Sequence, residues 1–338
     1  LEGRNWKWRM HGGAVTLARR FLDEGHSPDL ILATDMLDLT TFLSLTRERT
    51  AGTSAAIYFH ENQLSYPWSG GDPDPGLLRD VHYGFINYSS ALTAGAVLFN
   101  SRYHHDSFLS ELPRFLGRFP DHNEDGSVER IREKSSVLPL GVDLAALDRF
   151  RAERLSIAPP LVLWNHRWEY DKNPQDFFEA LFALADEGFD FEVAVLGESY
   201  SRRPGIFDEA KRRLGSRILH FGYVEDFAEY ARWLWRADIL PVTSNHDFFG
   251  VSAVQGMYCG CHALLPRRLA FPGHVPEIAH SSSMYDGLDD LKAKLRGLLR
   301  DWPLVPAPVL RDHVSRYDWG KMAGVYDERL ALIASTGE

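Results

Sequence analysis

Short apolar runs alternate with helically spaced segments along the whole chain. Residues 30–33, 55–59, 96–99 and 137–138 are compact apolar stretches, each predicting a buried strand. Between them, 36–45, 77–92 and 103–109 place apolar side chains at helical spacing, so strand and helix alternate as in a parallel sheet covered on both faces. Two loops interrupt this half: 65–76, dense in Pro, Gly and Asp, and 115–136, long and charged. Loops of that length inside a compact domain carry function or move.

After Ala158-Pro159-Pro160 the pattern restarts. Strands are predicted at 161–164, 191–196, 218–221, 238–242 and 262–265, with helices at 174–186, 207–214, 227–236 and 251–258. A last amphipathic helix falls near 319–333. The expected architecture is α/β: two Rossmann-like doubly wound domains facing a central cleft, where strand carboxyl ends meet a ligand. The expected boundaries are 1–145 for the N-terminal domain, 146–316 for the C-terminal domain, and 317–338 for a helix packing back towards the N-terminal domain.

Composition supports two soluble domains. The chain has 338 residues, 44% hydrophobic and 25% charged, which excludes a disordered chain. A net charge of −10 excludes a bulk polyanion binder, but residues 1–20 hold Arg4, Lys7, Arg9, Arg19 and Arg20 against Glu2 alone, permitting a focused contact with nucleic acid or phosphate. A solvated basic loop and helix face would look the same. Cys259 and Cys261 are too close for an ordinary disulfide and too few for a zinc site, so a reducing, cytoplasmic setting is expected. No apolar run reaches the ~18 residues that span a bilayer.

The densest chemistry follows the first strand of the second half, in Asn165-His166-Arg167-Trp168-Glu169-Tyr170-Asp171-Lys172. Arg167 and Lys172, five apart around a strand-to-helix turn, are placed to grip a diphosphate; as ordinary surface residues they would simply be solvated. Gly197 ends the next strand where a ligand could approach the backbone. His220-Phe221-Gly222-Tyr223-Val224 offers a loop suited to a flat base edge. In Ser244–Gly260, a helix starts near Gly250, and the free N–H groups of its first turn favour an anion. Asp247 precedes that helix and Gln255 lies within it, so both can border one pocket.

This half resembles the retaining nucleotide-sugar transferases of glycosyltransferase family 4, which have the two-domain GT-B fold. Their Arg and Lys, Gly, and acidic-x7-acidic element beside Phe-Gly match Arg167/Lys172, Gly197 and Asp247/Gln255 beside Phe249-Gly250. The resemblance implies that Arg167 and Lys172 hold the donor diphosphate, that Asp247 touches the donor sugar, and that position 255 holds the nucleotide ribose. It extends the donor-binding set to Tyr223, Val224, Phe249, Gly250 and Val251. Asp247 is one methylene shorter than the usual Glu. Gln255 replaces an acid, and its carbonyl oxygen could still accept from a ribose hydroxyl.

Trp6-Lys7-Trp8-Arg9-Met10-His11, Tyr58-Phe59-His60-Glu61-Asn62-Gln63-Leu64, Phe99-Asn100-Ser101 and His166-Arg167-Trp168-Glu169 narrow the likeness. So do His246-Asp247-Phe248-Phe249-Gly250 and Tyr258-Cys259-Gly260-Cys261. Together they resemble the tRNA-queuosine α-mannosyltransferase family over nearly the whole chain. Relative to that family, the first β-α-β unit is absent ahead of Leu1, and Gly273 stands where relatives often carry Glu. The resemblance implies transfer of mannose from GDP-mannose to queuosine at the tRNA-Asp wobble position, with retention and without a metal or other cofactor. It makes His60, beside Glu61 and Asn62, a residue near the transferred sugar. Trp6, Lys7, Trp8 and Arg9 interleave rings and cations as a base-stacking, phosphate-contacting acceptor surface would. His104-His105-Asp106 reads as a solvated helix face rather than a metal site, and Asp72-Pro73-Asp74 is the one Asp-x-Asp spacing in a loop. The alternatives are a family 4 transferase with a lipid or polysaccharide acceptor, or a nucleotide-sugar binder that has lost its chemistry.

Overall fold

The apolar runs become parallel strands and the amphipathic segments their cover. The computed structural model describes residues 1, 6–68, 72, 74, 76, 80–121, 123–124, 126–151, 158–199, 204–303 and 308–335. The start of the 77–92 helix, Pro73, Glu2 and Arg4 lie outside them. Two units are separated by internal packing: Leu1–Leu140 with Ala323–Glu338, and Gly141–Met322.

The first unit runs α1 (Trp6–Glu24), β1 (Leu30–Thr34), α2 (Leu39–Thr50), β2 (Ser54–Phe59), α3 (Asp80–Thr93), β3 (Ala96–Phe99), α4 (Arg102–Leu116), α5 (Gly126–Glu133) and β4 (Ser135–Val137). Its sheet has the order β1-β2-β3-β4, all parallel. α2 starts later than the apolar spacing predicts because Asp38 caps it, accepting from the Thr41 N–H at 3.0 Å. The long loop predicted at 115–136 contains α5, whose Val128 and Ile131 are buried in the core formed with Phe59, Phe99 and Phe108. Two apolar positions in a charged stretch are too sparse a signal to reveal a helix. Likewise, residues 6–24 form a helix because Met10, Ala14 and Ala18 bury one face at four-residue spacing.

The second unit runs α6 (Ala145–Asp148), β5 (Leu161–Trp164), α7 (Pro174–Asp186), β6 (Glu192–Leu196), α8 (Ile206–Leu214), β7 (Ile218–Gly222), α9 (Phe227–Arg236), β8 (Ile239–Pro241), α10 (Val251–Tyr258), β9 (His262–Pro266), α11 (His280–Ser283), β10 (Met284–Tyr285), α12 (Gly287–Arg300) and α13 (Pro308–Val314). Its sheet order is β10-β9-β8-β5-β6-β7. β5 is fully buried, as a strand covered on both faces must be. The chain winds from β5 through β6 to β7, then returns to the other side of β5 with β8, β9 and β10. The topological switch point therefore lies between β5 and β8, at the carboxyl ends of the strands.

The last helix, α14 (Trp319–Ser335), leaves the second unit at Ala323. Within the first unit Tyr326 Oη lies 2.9 Å from Tyr58 Oη, and Arg329 donates to Ser136 Oγ at 2.9 Å. No helix among the described residues is long and apolar enough to cross a membrane.

Candidate active site

At the switch point the loops after β5 and β8 are tied by one lysine. After β5 the chain makes a short 3-10 turn, Tyr170–Lys172, and Asn173 takes a left-handed conformation to cap α7. That turn sends Lys172 back over the sheet edge, where its side chain is only 10% exposed. Its Nζ donates to the His246 carbonyl at 2.9 Å and to Asp247 Oδ2 at 3.1 Å, and lies 3.0 Å from Asp171 Oδ2. Burial alone would lower the ammonium's proton affinity, but Asp247 and Asp171 outweigh it and hold Lys172 above its ordinary range. Asp171 is 1% exposed, and neither of its oxygens accepts a well-aligned hydrogen bond. Its backbone carbonyl accepts from the Asn245 N–H at 2.8 Å.

Arg167 does a different job from Lys172. Its half-exposed guanidinium lies 3.3 Å from Glu169, and burial pushes the Glu169 carboxyl up despite Arg167. The two cations expected to grip a diphosphate thus differ in setting: Lys172 is the buried centre of a knot with two carboxylates, and Arg167 is half exposed. Burial also drives the His166 and His246 imidazoles down to about 4 each, so both are neutral near pH 7.

Gly197 owes its identity to the loop itself. Its φ is +111°, and a Cβ there would sit 2.0 Å from the His166 carbonyl oxygen. The close approach is to the chain's own backbone. Tyr223 and Val224 follow β7 at the same sheet edge, Tyr223 exposed and Val224 buried. Phe249, Gly250 and Val251 lead into α10; Gly250 has φ +88° and no side-chain cap. The N–H groups of Gly250, Val251 and Ser252 have no partner among the described residues. Asn165 and His166 hold that turn in place, Nδ2 of Asn165 donating to the Ser252 carbonyl at 3.0 Å and His166 Nδ1 lying 2.9 Å from Ser252 Oγ. Gln255 lies one turn on. Its Oε1 accepts from the Tyr230 hydroxyl at 2.9 Å, which leaves one acceptor position on that oxygen as well as the amide N–H groups as donors.

In the first unit His60 follows β2 with its imidazole half exposed. Its backbone N–H donates to Asp35 Oδ1 at 2.9 Å, and its carbonyl accepts from Asn100 Nδ2 at 2.9 Å. Asn100 in turn contacts His104 Nδ1 at 2.9 Å. His104 is thus not on a solvated face: it is buried against Phe59 and Phe99. Sequence reasoning missed Asp35 and Asn100 as supports of His60, and Asp171 as the partner of Lys172. The signal available was position: Asp35 and Asn100 each sit just past a strand end, and Asp171 adjoins Lys172 in the loop after β5.

The acceptor surface expected at the N-terminus is largely occupied. Trp6 packs on Trp68 and Tyr83, with ring centroids 5.9 and 5.1 Å away. Lys7 is gripped by Asp72 at 2.8 Å and by Asp74, which gives the Asp-x-Asp spacing its role. Arg9 donates to the Leu1 carbonyl at 2.9 Å. Trp8 alone of the four is widely open, 68% exposed. Asn62 is fully buried, its Oδ1 accepting from the Leu64 and Ser65 N–H groups, and so shapes a turn; Glu61 Oε1 accepts from Gln63 Nε2 at 3.2 Å.

Comparison with known proteins places this geometry. A profile for the tRNA-queuosine alpha-mannosyltransferase N-terminal region matches residues 1–142. A Drosophila melanogaster tRNA-queuosine alpha-mannosyltransferase is 33% identical over 310 residues, covering 89% of this chain and 78% of that protein. The chain belongs to the tRNA-queuosine alpha-mannosyltransferase family. It is accordingly a glycosyltransferase. A second relative, 30% identical over 149 residues, is a Mycobacterium tuberculosis GDP-mannose-dependent alpha-(1-6)-phosphatidylinositol dimannoside mannosyltransferase, covering 42% of this chain and 38% of that one. Among solved structures, the alpha,alpha-trehalose 6-phosphate synthase of Burkholderia multivorans has a TM-score of 0.72 at 15% identity, covering 100% of this chain and 79% of its own. Such a likeness establishes the GT-B fold, as the family's members are expected to have.

Proposed function

We propose that this chain transfers mannose from GDP-mannose to queuosine in the anticodon of tRNA-Asp, in the cytoplasm, with retention of configuration and no metal. The observation that carries the reading is the Lys172–Asp247 pair beside the unpaired N–H groups of α10, at the switch point of a chain in this family. Family membership with a tRNA-queuosine enzyme supports the acceptor. The similarity of a stretch of the chain to a GDP-mannose-dependent enzyme supports the donor.

In this reading the second unit binds the donor. The diphosphate meets the start of α10 and Arg167, where oriented N–H dipoles and a solvent-accessible cation stabilise negative charge. Lys172 keeps Asp171 and the His246 carbonyl while turning from Asp247 towards the leaving phosphate, which frees Asp247 for the sugar hydroxyls. Tyr223 and Val224 flank the base, and Gln255 reads the ribose through its N–H. The bond from the anomeric carbon to the β-phosphate oxygen breaks, and a queuosine hydroxyl oxygen bonds that carbon on the same face. Its proton passes to a phosphate oxygen, giving GDP. The first unit, with His60, Glu61 and Trp8, serves the acceptor.

The test is mass spectrometry of queuosine-containing tRNA after incubation with GDP-mannose. The expected result is one added hexose on queuosine. Hexose appearing only on a lipid or polysaccharide moves the acceptor. Calorimetric binding of GDP-mannose with no transfer to any of them supports a binder that has lost its chemistry.

A further inference from the structure

The start of α10 is held by a hydrogen-bond chain whose proton positions follow from the groups in it. Arg316 Nη2 can only donate, and it donates to the Tyr317 hydroxyl oxygen at 2.7 Å. Tyr317 keeps its own proton to give, and His274 Nδ1 lies 3.1 Å away. An imidazole that accepts at Nδ1 carries its proton on Nε2, and His274 Nε2 meets the Phe249 carbonyl, which can only accept. With a neutral imidazole, one arrangement of protons satisfies every link. The rings close the same knot: Phe249, His274 and Tyr317 pack edge to face with centroids 4.9, 5.1 and 5.2 Å apart. Burial pushes the His274 imidazole down to about 4, so it stays neutral and single-protonated near pH 7.

The consequence lies in one peptide plane. The Phe249 carbonyl and the Gly250 N–H belong to the same planar trans unit and point in opposite directions. Fixing the carbonyl on His274 therefore fixes the Gly250 N–H on the other side. Gly250 cannot compensate freely, because its left-handed backbone is packed so that a Cβ would sit 2.8 Å from Phe271. We propose that His274 is a positioning residue for the donor diphosphate: by holding the Phe249 carbonyl it turns the Gly250 N–H towards the phosphates. The proposal rests on the donor reading above. Nothing in the sequence pattern marked His274, which stands next to the unusual Gly273.

The test compares GDP with GMP by calorimetry, since only the former has the second phosphate. His274→Phe keeps a ring but has no N–H to give. Its GDP affinity is expected to fall about tenfold, on the scale of one hydrogen bond to a charged group, with GMP affinity nearly unchanged. His274→Gln, whose amide N–H can reach the same carbonyl, is expected to restore most of the GDP-to-GMP ratio. Tyr317→Phe fills the same space and should lower the ratio in the same direction by about threefold; it decides the matter if His274→Phe does not fold. An unchanged ratio in both variants, or equal losses in the Phe and Gln variants of His274, overturns the role of His274 alone. A wild-type chain that binds neither nucleotide overturns the donor reading, and this role with it.

Discussion

Two lysines in this protein are each held by two aspartates, and they do different work. Lys7 meets Asp72 and Asp74, and Lys172 meets Asp171 and Asp247. In both, burial pulls the ammonium's proton affinity down and the carboxylates more than restore it. Lys7 is 34% exposed, and its partners come from one loop, so the pair staples that loop to α1. Lys172 is buried, and its partners come from the loops after β5 and β8, beside a helix start with unpaired N–H groups. The same three charges are a loop fastener in one place and, in the proposed function, part of the donor site in the other. What separates them is depth and the neighbouring unpaired dipoles.

The largest effect should follow from removing Lys172. Lys172→Met is expected to lower transfer by about 10²-fold or more, the scale of losing one preorganised charge. It also leaves Asp171 buried without a counter-charge, costing about 3–5 kcal/mol. Adding Asp171→Asn should recover most of that stability in urea unfolding and none of the transfer rate. If the double variant regains activity as well, Lys172 is structural and the contrast with Lys7 disappears.

Acid should weaken the second unit next. His166, His246 and His274, all in the second unit, are protonated in the folded chain only near pH 4, against about 6.5 when unfolded. Between those values the unfolded chain binds more protons, so stability rises with pH. It is complete above about pH 6.5 and drains away as pH falls towards 4, by up to about 1.4 kcal/mol per pH unit for each histidine. Hydrogen exchange at pH 7.5 and 5.0 should show protection in β5 and β8 falling. Protection there that is unchanged at pH 5.0 would overturn this account of the three histidines.

Much of this was legible in the chain. The predicted helices at 174–186, 227–236 and 251–258 coincide with α7, α9 and α10, because their apolar spacing and flanking Asn173, Asp226 and Gly250 act locally. The motif around Lys172 was visible for the same reason. What sequence could not show is which charges are already spent. Lys7 finds Asp72 and Asp74 some 65 residues away, and Lys172 finds Asp247 at a separation of 75. Gln255 shares its oxygen with Tyr230, on a neighbouring helix, which the spacing along the chain does not reveal. α12 carried a readable Leu291-Leu295-Leu299 stripe, whereas α5 had too few apolar positions to read.

The smallest effect should come from Lys7, and it is the sharpest check on the comparison. Lys7→Met leaves Asp74 with the Tyr83 hydroxyl at 3.3 Å and leaves Asp72 in partial contact with water. Asp74 is itself buried but keeps that hydroxyl, so the loss should be about 1–3 kcal/mol, below that at Lys172, and transfer should change by less than about twofold. Salt separates the two lysines further. Raising sodium chloride from 0.1 to about 1 M shortens the screening length from ~10 to ~3 Å, which should reduce the part of the Lys7→Met deficit owed to the partly exposed Asp72. The deficit of Lys172→Met should persist, because salt does not reach a buried pair. A tenfold loss of transfer in Lys7→Met at unchanged stability would return Lys7 to the acceptor surface that its neighbours Trp6 and Trp8 first suggested.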